Sequence, residues 1–236
     1  LDRTESEIGQ HVNTEVVSQI QKTVSAKASQ YAAQTEALIN SAHFLPYTLA
    51  SQLSASIEAS DALSLSREQT QRLVKSVLNT GTTSSMYAQF ETNLFDGNAE
   101  ANKTGKIHST PGTGSFEVYF IRGNNGLAEQ IPITDPELKH DTRLDEFGFR
   151  AAEWYLCNKE FRGVVGPDLT LPIIQKRAEN LKASLYNGNA EVYVISQNGL
   201  VVAATNATSK LARPFSEVFA DKAKSETLLS ANKQAG

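Results

Sequence analysis

Apolar residues recur through the first fifty positions at the spacing of one helical face: Ile8, Val12, Val16, Ile20, Val24, Ala28, Tyr31, Leu38, Ala42, Leu45 and Leu49. Gln, Ser, Thr, Glu and Lys fill the turns between them, so the pattern predicts one long amphipathic helix over residues 1–50. A helix of that length outruns a single small core, and it therefore either spans two domains or zips against a partner. Pro46 marks a kink or a junction within it. A second helix opens at Ser66-Arg67-Glu68-Gln69, where a hydroxyl and an amide three residues apart can satisfy each other's orphan backbone donors. Leu73, Val74, Val77 and Leu78 give it an apolar face before Gly81 stops it.

Strand patterns then take over, at 85–91, 116–122 and 127–133. The last two are joined through Asn124-Asn125-Gly126, a strong hairpin signal. Residues 92–114, rich in Gly, Pro, Asn and Thr, predict a long loop of the kind that often serves as a functional lid. Residues 135–157 turn helical. A strand at 163–168 leads to a helix over 172–186, and a second hairpin, 191–195 to 200–203, turns at Asn198-Gly199. Helix followed by an Asn-Gly hairpin thus occurs twice, which predicts two small α+β modules with a boundary near 166–170. The second is incomplete, because 212–236 predicts a polar helix and no closing strands.

Composition narrows the function. A 236-residue chain with 40% hydrophobic content can bury a real core. A net charge of -4 with scattered Lys and Arg argues against nucleic acid as a partner. Cys157 is the single cysteine, so there is no intramolecular disulfide, and nothing sits at zinc-ligand spacing from it. His11, His43, His108 and His140 are not at metal-ligand spacing either, and they are assigned structural or solvent-exposed places; no metal and no cofactor is expected. No nucleophile elbow, phosphate loop or HExxH is present, Gly112-Thr113-Gly114 alone is too weak to count, and Asp145-Glu146 is a solvated pair, so no catalytic residue is assigned. Apolar runs fall short of a membrane span. The chain opens inside a helical pattern, as the excised extracellular domain of a membrane receptor would.

The densest local signal is Phe161-Arg162-Gly163-Val164-Val165-Gly166-Pro167-Asp168-Leu169-Thr170-Leu171, a buried strand running into a helix. Its Asp168 is either a helix cap or a carboxylate aimed at a ligand. With it come Tyr87-x-x-Phe90-Glu91-x-Asn93 leading to Asp96-Gly97, then Phe116-x-x-Tyr119-Phe120-x-Arg122, then Trp154-Tyr155. In content and order these segments, behind the long first helix, make the chain resemble the double Cache (dCache) periplasmic ligand-binding domain of bacterial methyl-accepting chemotaxis receptors, over most of residues 1–215. Two departures stand out. Ala152 replaces the Arg that amino-acid sensors of this family often place two residues before the Trp. Only residues 156–160 separate Trp154-Tyr155 from the Gly-Val-Val-Gly strand, where the family inserts a loop and paired strands; residues 157 and 158 are therefore expected not to be neighbours in the gene product.

The resemblance implies an α+β fold in which two PAS-like antiparallel-sheet modules follow a stalk helix, 1–50. The modules are a membrane-distal ligand-binding one, 51–168, and a partial membrane-proximal one, 169–236. It further implies that Tyr119, Trp154, Tyr155 and Asp168 surround one pocket. Aromatic faces and a carboxylate suit an ammonium group. Without an Arg at 152, Arg122 is the substitute partner for a ligand carboxylate; for Trp154 and Tyr155 ordinary core packing is the alternative, and Glu91 and Asp96 are read as loop anchors. The expectation is an extracytoplasmic, non-enzymatic sensor for a small amine or amino-acid-like ligand. It would be anchored by transmembrane segments absent from this chain and homodimeric in the full receptor. The alternatives are a dimerisation module without a ligand, or the sensor of a histidine kinase or diguanylate cyclase.

Overall fold

A computed structural model of the chain describes residues 2–58, 64–145, 148, 150–156 and 162–235. The expected discontinuity at 157–158 lies outside the described residues. The chain divides into two compact units, one of Ile39–Leu169 and one of Leu1–Leu38 with Thr170–Gly236. Helix α1, Asp2–Glu58, runs through Pro46 and contributes to both.

In the unit of Ile39–Leu169, helix α2 (Arg67–Thr80) starts on the predicted capping box. The Ser66 hydroxyl accepts from the Gln69 N–H at 3.2 Å, and the Gln69 side chain accepts from the Ser66 N–H at 2.8 Å. Strands β1 (Ser85–Phe90), β2 (Glu117–Arg122), β3 (Ala128–Ile131) and β4 (Gly163–Asp168) form one antiparallel sheet in the order β3-β2-β1-β4. Side chains alternate across it. Met86, Ala88, Phe90, Val118 and Phe120 face Leu49 and Leu53 of α1 and Val74 and Leu78 of α2 in one buried core. Each large side chain buried there contributes roughly 1.5 to 3 kcal/mol, leaving the other face of the sheet free to carry polar and aromatic groups. Pro167 is tolerated because β4 is an edge strand.

Two expectations change here. Residues 135–157 do not form one helix; they give a 3-10 turn at Leu138–His140, an isolated bridge between Leu144 and Arg150, and a short helix α3, Glu153–Leu156. Asp135 and Asp141 each accept a backbone N–H two residues on, from Glu137 and Arg143, and such local bonds compete with helix. The loop 92–114 is not a lid. Buried Arg67 holds it down, donating to both Asp96 oxygens at 2.8 Å, to the Ser109 hydroxyl at 2.9 Å and to the Gly114 carbonyl at 2.7 Å. Gly114 has φ +69, and a Cβ there would fall 1.9 Å from the Ala99 carbonyl oxygen, so only glycine fits. His108 is buried beside Ser109 and Glu68.

In the other unit, helix α4 (Leu171–Ser184) carries Pro172 in its first turn, where the missing N–H is harmless. Strands β5 (Tyr193–Ile195) and β6 (Val201–Ala204) form a hairpin whose Asn-Gly turn puts Gly199 at φ +83. Helices α5 (Phe215–Val218) and α6 (Lys222–Ala235) follow. Ile174, Ala178, Val192 and Ala203 form one small core, and Val201, Ala204 and Phe215 another. Its sheet has two strands among the described residues.

Candidate functional site

On the face of the four-stranded sheet turned away from α2, the register sets Ile131, Tyr119, Tyr87 and Gly166 side by side across all four strands. The Tyr87 and Tyr119 ring centroids are 6.4 Å apart, and Trp154 of α3 meets Tyr87 edge-on at 5.5 Å. Gly166 makes room for this row: a Cβ there would sit 2.7 Å from the Tyr87 hydroxyl oxygen. Its partner glycine, Gly163, does the same for the Phe90 ring, at 2.5 Å, on the core face.

These rings wall a cavity of about 500 Å³. Gln89 and Asp168 share it with them, and residues 131–135 and Leu138 complete its lining. One Asp168 carboxylate oxygen accepts a hydrogen bond from the Ser85 hydroxyl and lies 3.5 Å from the Tyr119 hydroxyl. Asp168 is therefore not a helix cap: the N-cap of α4 is Thr170, and no side-chain cap bond is made there. Burial first, then the negative charge of Asp168 and the neighbouring Tyr119, push the Tyr87 phenol up to about 12, so it stays neutral and can donate.

No Lys or Arg lines the cavity among the described residues. Lys139, one position beyond Leu138, is buried and taken by Glu117 and the Phe90 carbonyl. Glu117 in turn accepts from Thr110 at 2.7 Å and from Ser115 at 2.8 Å. Ala152 is fully buried. What the cavity offers a guest is aromatic surface and negative charge.

Comparison with protein-family models and with curated sequences returns no match. Among solved structures, the chain is similar to the periplasmic sensory domain of the Campylobacter jejuni chemoreceptor Tlp1, with a TM-score of 0.57 at 13% identity, covering 87% of this chain and 79% of that one. It is also similar to the extracellular domains of two histidine kinases. For mmHK1S-Z2 the TM-score is 0.52 at 17% identity, covering 86% of this chain and 84% of that one; for mmHK1S-Z3 it is 0.50 at 15%, covering 86% and 81%. The chain shares the fold of these sensor domains. Among the described residues of this sensor fold, no helix is long and apolar enough to cross a membrane.

Of the five residues the sequence singled out, the sensor fold brings Tyr119, Trp154 and Asp168 to one cavity and places two elsewhere. Arg122 is no partner for a ligand carboxylate. Its guanidinium donates to the carbonyls of Leu78, Gly81, Thr83 and Gly126 at 2.6 to 3.1 Å, capping the end of α2. Tyr155 is 3% exposed and turns its hydroxyl to Glu91 at 2.8 Å; burial, then that carboxylate, raise its phenol well above the usual range. Both lie off the cavity for the same reason: a neighbouring backbone or carboxylate already saturates their polar atoms. Sequence reasoning missed Tyr87, Gln89 and Asp135 as lining residues. The available signal was strand alternation, which sets 85, 87 and 89 on the face opposite Met86, Ala88 and Phe90.

Proposed function

We propose that this chain is the extracytoplasmic sensor domain of a membrane receptor and that its four-stranded unit binds a small organic cation, an amine, without altering it covalently. One observation carries the reading: Tyr87, Tyr119 and Trp154 share a cavity with Asp168, and its described lining holds no cation. A desolvated ammonium gains roughly 0.5 to 2 kcal/mol from an aromatic face. A charge-assisted bond to the carboxylate fixes its position. An amino acid fits less well, because its carboxylate would meet Asp168 with no compensating cation. Receptors of chemotaxis and of histidine-kinase type both carry this fold, so the proposal concerns the sensor and leaves the output module to the rest of the receptor. Anchoring by membrane segments, homodimerisation of the receptor and signalling along α1 belong to the same proposal.

Thermal unfolding of the domain with a panel of alkylamines and the matching amino acids tests it. A ligand at a hundred times its Kd stabilises the folded state by about 2.7 kcal/mol, a shift of several degrees for a chain of this size. Amines are expected to raise Tm and amino acids to do so less. No shift with any amine, or an equal shift with the amino acids, contradicts the proposal and favours a module that works through association alone.

A further inference from the structure

We infer that the ligand of this cavity carries two ammonium groups. The inference rests on the amine reading above and adds the ligand's charge and shape. Two carboxylates line the cavity, Asp168 and Asp135, and neither is ion-paired among the described residues. Each is held on one oxygen only: Asp168 by the Ser85 and Tyr119 hydroxyls, Asp135 by the Glu137 N–H. Three other carboxylates of the same unit are matched with cations. Asp96 is paired with Arg67, Glu117 with Lys139 and Asp141 with Arg143. The cavity thus gathers two carboxylates with no cation in its described lining, and a monoamine would neutralise only one of them.

The arrangement also sets a shape. Asp168 ends β4, one edge strand of the sheet, while Asp135 follows β3, the other edge strand. Between them, β1 and β2 present the Tyr87 and Tyr119 rings, and Ile131 and Leu138 add apolar surface. A guest with cationic ends and a hydrocarbon middle matches this order of acid, ring, ring, acid. An α,ω-diaminoalkane has that form, fully protonated at neutral pH as alkylammonium groups are.

Calorimetry at fixed ionic strength tests it, with 1,4-diaminobutane and 1,5-diaminopentane set against 1-aminobutane and 1-aminopentane. The diamines are expected to bind at least about tenfold more tightly than the monoamines of equal chain length, one added charge-assisted bond at an exposed carboxylate. Asp135→Asn should shrink that ratio to below about threefold, since the amide still accepts from Glu137 but carries no charge. Equal affinity of diamine and monoamine for the unaltered domain overturns the inference and leaves the amine reading standing. An unchanged ratio in Asp135→Asn overturns it as well. Binding of neither class overturns both.

Discussion

The two units share a plan, a helix followed by an Asn-Gly hairpin, yet the cavities they carry have opposite character. In the four-stranded unit, rings in cross-strand register and two unpaired carboxylates surround about 500 Å³. The other unit has a cleft of about 520 Å³ between α1 and α4, rimmed by Lys27, Lys176 and Arg177 and by amides, with no acid among its lining residues. Its one ring, Tyr31, is tied through its hydroxyl to the Ile174 carbonyl at 3.1 Å. The difference lies in β1 and β4. Those two strands supply Tyr87, Gly166 and Asp168, the row that turns a plain hairpin face into a wall of rings and carboxylate, and the two-stranded unit lacks their counterparts among the described residues. A shared plan therefore does not predict a shared ligand; the added strands and their register do.

The largest expected break in the comparison is Glu117→Ala. It strands the buried Lys139 ammonium and should cost about 3 to 5 kcal/mol in urea unfolding. Asp168→Asn comes next: amine affinity should fall about tenfold or more, as expected for losing a charge-assisted partner worth roughly 1.5 to 3 kcal/mol, while the fold persists because an amide oxygen still accepts from Ser85. Gly166→Ala should weaken amine binding a few-fold by displacing the Tyr87 ring, with little change in Tm, since the clash is with the far end of that side chain. Stability should also fall at high pH. Tyr87 holds its proton more tightly folded than unfolded, so its contribution is intact below about 10 and is lost as pH climbs through about 12; after discounting for partial exposure this is about 1 kcal/mol. Tyr87→Phe should make that limb of the pH–stability curve shallower, leaving the part that Tyr155 contributes. At the small end, Arg177→Ala in the other unit should change stability by under about 0.5 kcal/mol and leave amine binding untouched.

What the sequence disclosed was mostly local. Helix α1, the Ser66–Gln69 capping box and both Asn-Gly hairpins depend on residues a few positions apart, and all are present, although Val12, Val16, Ile20 and Val24 of the α1 stripe lie exposed. Trp154, Tyr119 and Asp168 were legible as a set through resemblance to a known sensor family. Features that depend on register and on distant partners were not. Tyr87 enters the site because it lies opposite Tyr119 and Gly166, a pairing no single segment encodes. Arg122 leaves it because carbonyls at the end of α2 come within reach only once the chain has folded. Residues 135–157 have helical composition, but Asp135 and Asp141 bond their own backbone, and Lys139 is drawn into the core by Glu117.

Trp154 is the only tryptophan in the chain, and it lines the cavity, so its fluorescence reports on this site alone. Titration of the domain with a small alkylamine should give a saturable change in that emission. The midpoint should move about tenfold or more to higher concentration in Asp168→Asn. An emission that does not respond to any amine, or a midpoint identical in the folded Asn variant, would contradict a cation site built on Asp168 and the Tyr87–Tyr119–Trp154 wall.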